Sequence, residues 1–378
     1  MKYMGSKLSM LRNGLGDILR REGRDRERVV DLFSGSGSVS WFAAQELRCP
    51  VLAIDLQQYA AVLARAVVER TAVVDSRTVW EEWSNLALSH LKSSHIWQKA
   101  KSLDDAGWNT PTWCRRARLL CSETATPAGP IWTSYGGYYF SPTQALTLDA
   151  LLSSLPEEEP VRSVCMASLI TAASQCAASP GHTAQPFKPT RTAGPYLRQS
   201  WLRDVLKCVK TGIDSISLQH ASVPGEARVG NAVNEARHLS KGDLVFVDPP
   251  YSGVHYSRFY HVLETIARGE CGPVAGSGRY PPPDERPASS FSRKGESPAA
   301  LRDLFDALAE AGCTVILTFP AARCSNGLSG AHVAEAAALR FNLQKTVVCT
   351  RFSTLGGNGT HRRARKLARE MILLMRAK

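Results

Sequence analysis

Short apolar runs alternate with segments of helical periodicity over the first 72 residues. RVVDLF and VLAID (51–55) have the length and composition of buried strands. The segments 8–20, 38–47 and 57–70 instead carry apolar residues three and four positions apart, which predicts helices. Strand–helix–strand–helix at this spacing predicts a parallel, doubly wound α/β sheet.

The same pattern returns near the end of the chain. DLVFV and TVILTF are typical of buried strands, and KTVVCTRF and EMILLMR predict two final strands. The segments 257–269 and 297–312 have the spacing of amphipathic helices. Residues 271–296, which lie between these helices, are rich in Gly, Pro and Ser and predict a mobile loop.

The middle of the chain does not follow this rhythm. Helical patterns dominate residues 73–225, and seven of the eight tryptophans lie there, interleaved with basic residues as in TWCRRARLL. We therefore predict that residues 1–72 and 226–378 form one α/β domain, and that residues 73–225 form an inserted, mainly helical domain.

The charge of the chain favours an anionic partner. The 378 residues carry a net charge of +12, which favours nucleic acid, with an ordinary basic surface as the alternative. The ten cysteines form no C-x-x-C pair and have no histidine cluster beside them, so we predict no metal site. Because no apolar run reaches ~18 residues and the N-terminus has no signal core, we expect a cytoplasmic protein without membrane association.

The stretch DLFSGSG joins the first predicted strand to a helix. Asp31 and Phe33 end the strand, and Gly35 and Gly37 allow positive φ and a close backbone approach to a ligand. Asp55 ends the next strand, where such folds bind ribose hydroxyls with an acidic residue. These residues predict a site for an adenosine-containing cofactor. An ordinary turn for the glycines and a helix cap for Asp55 are the alternatives.

The stretch VFVDPPY combines a buried strand with a rigid polar end. Asp248 follows the strand, where ligand sites of α/β sheets form. Pro249 and Pro250 fix φ and remove two backbone donors, which leaves a lip rich in acceptors. Tyr251 supplies a flat surface on which a ring can stack. The set suits a planar base with an exocyclic amine, whereas the structural alternative is a proline-terminated strand with a capping aspartate.

These motifs resemble those of the S-adenosylmethionine-dependent DNA adenine N6-methyltransferases of the Dam type. YMGSK (3–7), DLFSGSG (31–37), Asp55 and DPPY (248–251) stand in the order of that family. The resemblance covers both α/β segments and implies a Rossmann-like methyltransferase fold. It implies a target-recognition role for the inserted domain.

The resemblance also implies roles for single residues. Tyr3 and Lys7 match positions that contact the cofactor, S-adenosylmethionine. Asn231 stands where the family often has an acid that contacts the cofactor's adenine, and a plain turn residue is the alternative. The target adenine would be flipped out of duplex DNA and stacked on Tyr251. Asp248 and the carbonyl of Pro249 would then accept hydrogen bonds from its N6 amine, without a metal or a covalent intermediate.

Basic residues in two regions are candidates for DNA contacts, with a solvated basic face as the alternative. The candidates in the inserted domain are Arg115, Arg116, Arg118, Lys188, Arg191, Arg198 and Arg203. Arg293 and Lys294 lie in the loop 271–296, which we expect to close over DNA. The polar stretch 179–190 is a candidate DNA-facing loop. We interpret His182 within it as a structural hydrogen-bonding residue and not as a catalyst. HRRARK (361–366) predicts either a phosphate grip or a plain hairpin loop.

Other functions fit the same residues less well. An N4-cytosine methyltransferase uses the same geometry but more often has Ser in place of Asp248. RNA or a protein amide as substrate, and a catalytically silent DNA-binding regulator, are further alternatives. An NAD-dependent oxidoreductase is disfavoured because the third glycine of its loop is missing. A cognate restriction nuclease or a defence-system partner is the protein companion that the resemblance suggests.

Overall fold

The structure is a computed structural model that describes residues 6–105, 110–123, 129–353 and 365–378. The side chains of residues 350–353 and 365–368 lie outside that description. The strands are β1 Arg28–Asp31, β2 Val51–Asp55, β3 Glu226–Val229, β4 Asp243–Val247, β5 Thr314–Pro320, β6 Phe341–Ser353 and β7 Arg365–Ala377.

The helices account for most of the remaining described residues. They are α1 Leu8–Met10, α2 Gly16–Gly23, α3 Ser38–Glu46, α4 Gln58–Val68, α5 Ser76–Ser93, α6 His95–Asp105, α7 Thr110–Glu123, α8 Pro130–Tyr135, α9 Pro142–Ser153, α10 Val161–Cys176, α11 Gly194–Trp201, α12 Val205–Ile216, α13 Ala232–Ala236, α14 Tyr256–Arg268, α15 Ser297–Glu310 and α16 Gly330–Ala338. Short 3₁₀ turns occur at Pro283–Glu285 and Ser290–Ser292.

The strands form a seven-stranded sheet in the order β3–β2–β1–β4–β5–β7–β6. The pairs from β3 to β5 are parallel, whereas β7 is antiparallel to both β5 and β6. The predicted Rossmann-like, mostly parallel α/β sheet is therefore confirmed. Parallel strands need crossover connections, which here are helices on both faces of the sheet.

The core of the sheet lies on both of its faces because successive side chains of a strand point in opposite directions. Val245 and Val247 of β4 pack in one hydrophobic cluster, which includes the apolar stripe of α15. Leu244 and Phe246 pack in a second cluster with buried residues of α2 and α3. All five residues of β4 are buried, so the strand places whatever follows it at a well-defined point.

The predicted helix over residues 8–20 is interrupted. Asn13 and Gly14 leave helical geometry between α1 and α2, and Gly14 has a φ of 101° that L-residues rarely adopt. The apolar face that the sequence predicts is still formed, because its residues pack on the sheet. Those buried are Met10, Leu11, Leu15 and Leu19, and Ile18 is partly buried.

Strand β3 was not predicted. It has four residues, EARV, of which only Ala227 is buried, and it lies at the edge of the sheet beside β2. A strand this short with one buried side chain has no apolar run and too few residues to show alternation. Its parallel pairing with β2, and not its own sequence, identifies it as a strand.

The chain divides into two compact units. One contains Val73–Leu218 and Arg258–Arg286, and the other contains the described part of Met4–Ala72 together with Gln219–Ser257 and Pro287–Lys378. The sheet belongs to the second unit. The first unit begins where the inserted domain was predicted to begin. It also includes residues 258–286, which the sequence-based interpretation placed in the α/β domain.

The helical unit has an aromatic core of its own. The rings of Trp113 on α7 and Trp201 on α11 meet edge to face at 4.9 Å. Trp83 is also buried and donates from Nε1 to the carbonyl of Leu151 at 2.9 Å. Much of the aromatic content of this segment therefore builds a core. No helix in the described part of either unit combines the length and the apolar character needed to cross a bilayer.

Candidate active site

Polar side chains follow the carboxyl ends of four neighbouring strands. Asp31 ends β1, Asp55 ends β2, Asn231 lies just after β3, and Asp248 follows β4. Strand β1 lies between β2 and β4, so the order of the strands reverses direction at β1. Open α/β sheets bind ligands in the crevice at such a switch point. The structure thus brings the predicted glycine loop and the DPPY residues to one edge of the sheet.

The glycine loop has the backbone geometry that its sequence predicts. Gly35 has a φ of 49° and Gly37 a φ of 74°, and Gly37 directly precedes α3. The carboxylate of Asp55 accepts hydrogen bonds from the N–H of Gly35 at 2.8 Å and of Gln57 at 3.0 Å. Burial raises the pKa of Asp55 to about 6, against the opposing effect of these bonds. Asp55 is partly exposed and joins the loop to the end of β2.

Asp31 has a different environment, because only 1% of it is exposed. It accepts a hydrogen bond from the Ser40 hydroxyl at 2.6 Å and one from the N–H of Phe33 at 3.3 Å. Burial raises the pKa of Asp31 to about 7. In the structure Asp31 therefore links the start of α3 to the end of β1, and the glycine loop lies between these two elements. Its predicted contact with a cofactor stays a prediction.

Two buried oxygens beside this loop lack a protein partner. Ser34 Oγ and Gln57 Oε1 accept or donate no hydrogen bond within the described part of the chain. Both belong to the turns that follow β1 and β2. Buried polar atoms are normally satisfied, and those without a protein partner are candidates for a ligand. With the partly exposed Asp55, these groups fit a ribose-bearing cofactor in the crevice.

Asn231 is the N-cap of α13. Its Oδ1 accepts hydrogen bonds from the N–H groups of Val233 and Asn234 at 3.0 and 3.4 Å. This local role explains why an asparagine suits the position, since Asn is a favoured N-cap. Asn231 is exposed, and its amide nitrogen is still available as a donor. A contact with the cofactor stays a prediction.

The carboxylate of Asp248 is held on one of its two oxygens. Lys7 Nζ lies 3.0 Å from Oδ1, and the Thr318 hydroxyl donates to the same atom at 2.8 Å. Thr318 lies on β5, the strand next to β4. No described residue donates to Oδ2. The Asp248 side chain is 17% exposed, so the carboxylate is not sealed from solvent.

Lys7 is predicted to contact the cofactor, yet in the structure it is buried and paired with two carboxylates. Its Nζ lies 3.3 Å from Oε2 of Glu370 as well as 3.0 Å from Asp248. Burial lowers the pKa of Lys7, but the two carboxylates raise it by more, so Lys7 stays charged. Burial also raises the pKa of Glu370, against the opposing effect of Lys7.

Tyr251 lies partly buried beside a second tyrosine. Its ring meets that of Tyr256 edge to face, with centroids 6.5 Å apart. Burial raises the pKa of Tyr251 to about 12, so the ring stays neutral at physiological pH. A neutral, partly buried phenol ring at the last position of the DPPY stretch is a suitable surface for stacking a planar base.

The matches with known proteins agree with this geometry. Residues 3–95 and 222–277 match the sequence model of the D12 class N6 adenine-specific DNA methyltransferases. The match is confined to these two segments, which make up less than half of the chain. They contain the glycine loop, Asp55 and the DPPY residues, and the predicted family resemblance is confirmed. The description of this class names DNA as what its members act on, and methyl transfer requires a methyl donor.

Three methyltransferases resemble this chain at low identity. LlaI methylase of Lactococcus lactis subsp. lactis is 24% identical over 314 residues, which are 81% of this chain and 44% of that protein. M.FokI of Planomicrobium okeanokoites is 23% identical over 71% of this chain and 37% of its own length. StsI methylase of Streptococcus sanguinis is 30% identical over 25% of this chain and 15% of its own. The chain thus spans less than half the length of these relatives.

Three residues around the DPPY stretch were missed by the sequence analysis. Asn326 is fully buried and donates from Nδ2 to the carbonyls of Pro250 and Phe291. Thr318 donates to Asp248, and Glu370 pairs with Lys7, as described above. The sequence pattern around Thr318 and Glu370 offered a weak indication of a functional role, since each is a polar residue within or beside a run of buried apolar ones. Asn326 lies in a loop, and the sequence pattern around it offered no such indication.

Within the described part of the chain, some of the residues predicted to contact DNA already bind other groups of the protein through their side chains, and others do not. Arg118 donates to the carbonyl of Gly137 at 3.1 Å and stacks over the Tyr138 ring, and Arg203 donates to the carbonyl of Gln175. These two arginines therefore have structural roles. The exposed candidates in the helical unit are Arg115, Arg116, Lys188, Arg191 and Arg198.

The remaining candidates lie in loops. Arg293 is exposed and paired with Glu296 at 2.9 Å, and Lys294 is exposed. His182 accepts from the N–H of Ala184, and burial lowers its pKa, in keeping with a structural role. Tyr3 lies outside the described residues, as do the side chains of 361–366. The described residues contain no His, Cys, Asp or Glu cluster suited to a metal.

Proposed function

We propose that this chain transfers a methyl group from S-adenosylmethionine to the N6 amine of adenine in duplex DNA. The observation that carries the proposal is the hydrogen bonding of the Asp248 carboxylate. Its Oδ1 is held by Lys7 and Thr318, while Oδ2 has no donor among the described residues, and Asp248 follows β4, which lies beside β1 at the switch point of the sheet. A fixed acceptor next to a cofactor crevice is what an exocyclic amine needs.

The residues around the glycine loop would hold the cofactor. Asp55 would accept hydrogen bonds from ribose hydroxyls, and Ser34 Oγ and Gln57 Oε1 would find their missing partners there. S-adenosylmethionine supplies an electrophilic methyl group when bound. Because the crevice also ends at Asp248, the amine and the methyl donor would meet at the same edge of the sheet.

The DPPY residues would orient the amine. Oδ2 of Asp248 and the Pro249 carbonyl would accept its two hydrogens, which aims the nitrogen lone pair away from both. The nitrogen must lose one proton once it carries the methyl group, and Oδ2 is the carboxylate oxygen placed to accept it. Catalysis of this kind rests on position and preorganised charge.

The base would reach this site by leaving the duplex. Flipping costs roughly a few kcal/mol. Stacking of the extruded ring on Tyr251 would recover roughly 1–3 kcal/mol of it. Exposed basic residues of the helical unit, Arg115 and Arg116 among them, would contact the phosphates of the surrounding duplex.

The relatives extend the proposal to a biological role. LlaI and StsI are modification methylases by name, and M.FokI is a type II methyltransferase by name. We therefore assign this chain to the protection of DNA at a specific site, with a cognate restriction nuclease or another defence component as its partner.

The proposal is tested by identifying the methylated product. The chain is incubated with isotope-labelled S-adenosylmethionine and mixed-sequence duplex DNA, and the nucleosides are separated by mass spectrometry. N6-methyladenine that disappears with Asp248→Ala is the expected result. N4-methylcytosine would overturn the choice of base, and transfer to RNA but not to DNA would overturn the choice of substrate.

A further inference from the structure

We propose that Glu370 is a positioning residue for methyl transfer, acting through Lys7 on the carboxylate of Asp248. The inference rests on the proposed function, since it concerns how Asp248 is prepared for the amine. Glu370 lies 122 positions beyond Asp248 in the chain (370 − 248). The three side chains form a line of carboxylate, ammonium and carboxylate, in which Lys7 and Glu370 are buried and Asp248 is partly exposed.

The contacts place Lys7 between the two acids. Its Nζ lies 3.0 Å from Oδ1 of Asp248 and 3.3 Å from Oε2 of Glu370. The side chains of Lys7 and Glu370 are each 4% exposed. A buried charge is tolerated only when it is paired, so each member of the line depends on the others.

Glu370 is the rigid member of the line. It lies on β7, which has neighbours on both sides, and it pairs with Pro320 of β5 and Val348 of β6. Lys7 instead lies in the turn before α1 and has a long, flexible side chain. A fixed carboxylate beyond Nζ therefore decides where the ammonium lies, and with it the direction of the Asp248 carboxylate.

The charges have a second consequence. Two carboxylates share one ammonium, so Asp248 is not fully neutralised by Lys7. If Glu370 carried no charge, Lys7 would pair with Asp248 alone and would draw electron density away from Oδ2. Oδ2 would then be a weaker acceptor for the amine of the substrate. Glu370 thus preserves the acceptor strength of Asp248 as well as its direction.

The test is a double-mutant cycle read by the rate of a single turnover. Glu370→Gln keeps the size of the side chain and an acceptor for Lys7 but removes the charge. We expect the rate of methyl transfer to fall by about tenfold to a hundredfold, with unchanged affinity for S-adenosylmethionine and for DNA. In a Lys7→Met background, Glu370→Gln should cause no further loss, because its effect passes through Lys7.

Asp243→Asn is the matched control. Asp243 is another buried, paired carboxylate of the same sheet, held by Arg28 at the opposite end of β4. Its removal should lower thermal stability and leave the single-turnover rate of the folded protein unchanged. A Glu370→Gln rate equal to that of the wild type, or losses that add with Lys7→Met, would overturn the role of Glu370. No transfer to adenine by the wild type would overturn the proposed function, and this inference with it.

Discussion

Asn326 donates a hydrogen bond from Nδ2 to the carbonyl oxygen of Pro250 at 2.9 Å. The same nitrogen donates to the carbonyl of Phe291 at 3.1 Å, and Oδ1 accepts from the N–H of Leu328. One buried amide thus joins the DPPY stretch to a distant loop. Phe291 in turn meets Phe33 edge to face at 5.3 Å. The two predicted motifs are therefore linked through residues that neither contains.

Replacing Asn326 by aspartate should loosen the DPPY stretch. The variant keeps the size of the side chain but has no N–H to donate, so two buried carbonyls lose their partner. Each such loss costs about 1–3 kcal/mol. We expect a lower melting temperature and a fall in kcat larger than the change in KM for the cofactor. Asn342→Asp on the exposed face of β6 is the control, and equal effects of the two variants would contradict the assigned role.

The buried Asp31 should make stability depend on pH. Its pKa is about 7 in the folded chain. In the unfolded chain it is about 3.9. Between these values the unfolded chain holds fewer protons, so stability falls as pH rises through the window, by at most about 1.4 kcal/mol per pH unit for one group.

Asp31→Asn should reduce this slope. Some slope should remain, because burial also raises the pKa of Asp149 to about 7. The measurement is the free energy of unfolding in urea, for the wild type and the variant, at a series of pH values from about 4.5 to about 7.5. This range covers most of the window between the unfolded and folded pKa values of Asp31. Parallel curves would show that Asp31 is not the group responsible.

The exposed arginines of α7 should control the affinity for DNA. Removing both Arg115 and Arg116 should weaken binding to any duplex and reduce the salt dependence of log K by about 0.9 for each lost phosphate contact. Arg302→Ala, on an exposed position of α15 in the sheet-bearing unit, is the control. Arg118→Ala should lower stability instead, since its side chain is held by Gly137 and Tyr138. An unchanged salt slope in the double variant would exclude these two residues from the interface.

The main elements of the fold could be predicted from the sequence because their cause is local. The strands that the sequence predicts, such as VLAID and DLVFV, are buried on both faces, so nearly every residue is apolar. β3 lacked this signal, since it has one buried residue and owes its form to its neighbour β2. The break at Gly14 was missed for a similar reason, because a single glycine within a good apolar stripe does not show which φ it adopts.

The residues of the candidate site also differ in whether the local sequence could predict them. Asp55, the glycine loop and DPPY are contiguous motifs at strand ends, where chemistry is expected. Thr318 reaches Asp248, and Glu370 reaches Lys7, only through the pairing of β5 with its neighbours β4 and β7. Lys7 was predicted to contact the cofactor, and its two carboxylate partners lie more than 200 residues away in the sequence. Contacts of that kind are determined by topology, which local patterns do not encode.

The central claim is that Asp248 acts on the amine and not on the cofactor or the fold. Its most direct test is single-turnover methyl transfer by Asp248→Asn on the DNA that the wild type methylates, with cofactor affinity and melting temperature measured on the same samples. The account predicts a rate lower by about a hundredfold to a thousandfold with cofactor affinity retained. A rate close to that of the wild type, or a loss explained by weaker cofactor binding alone, would contradict it.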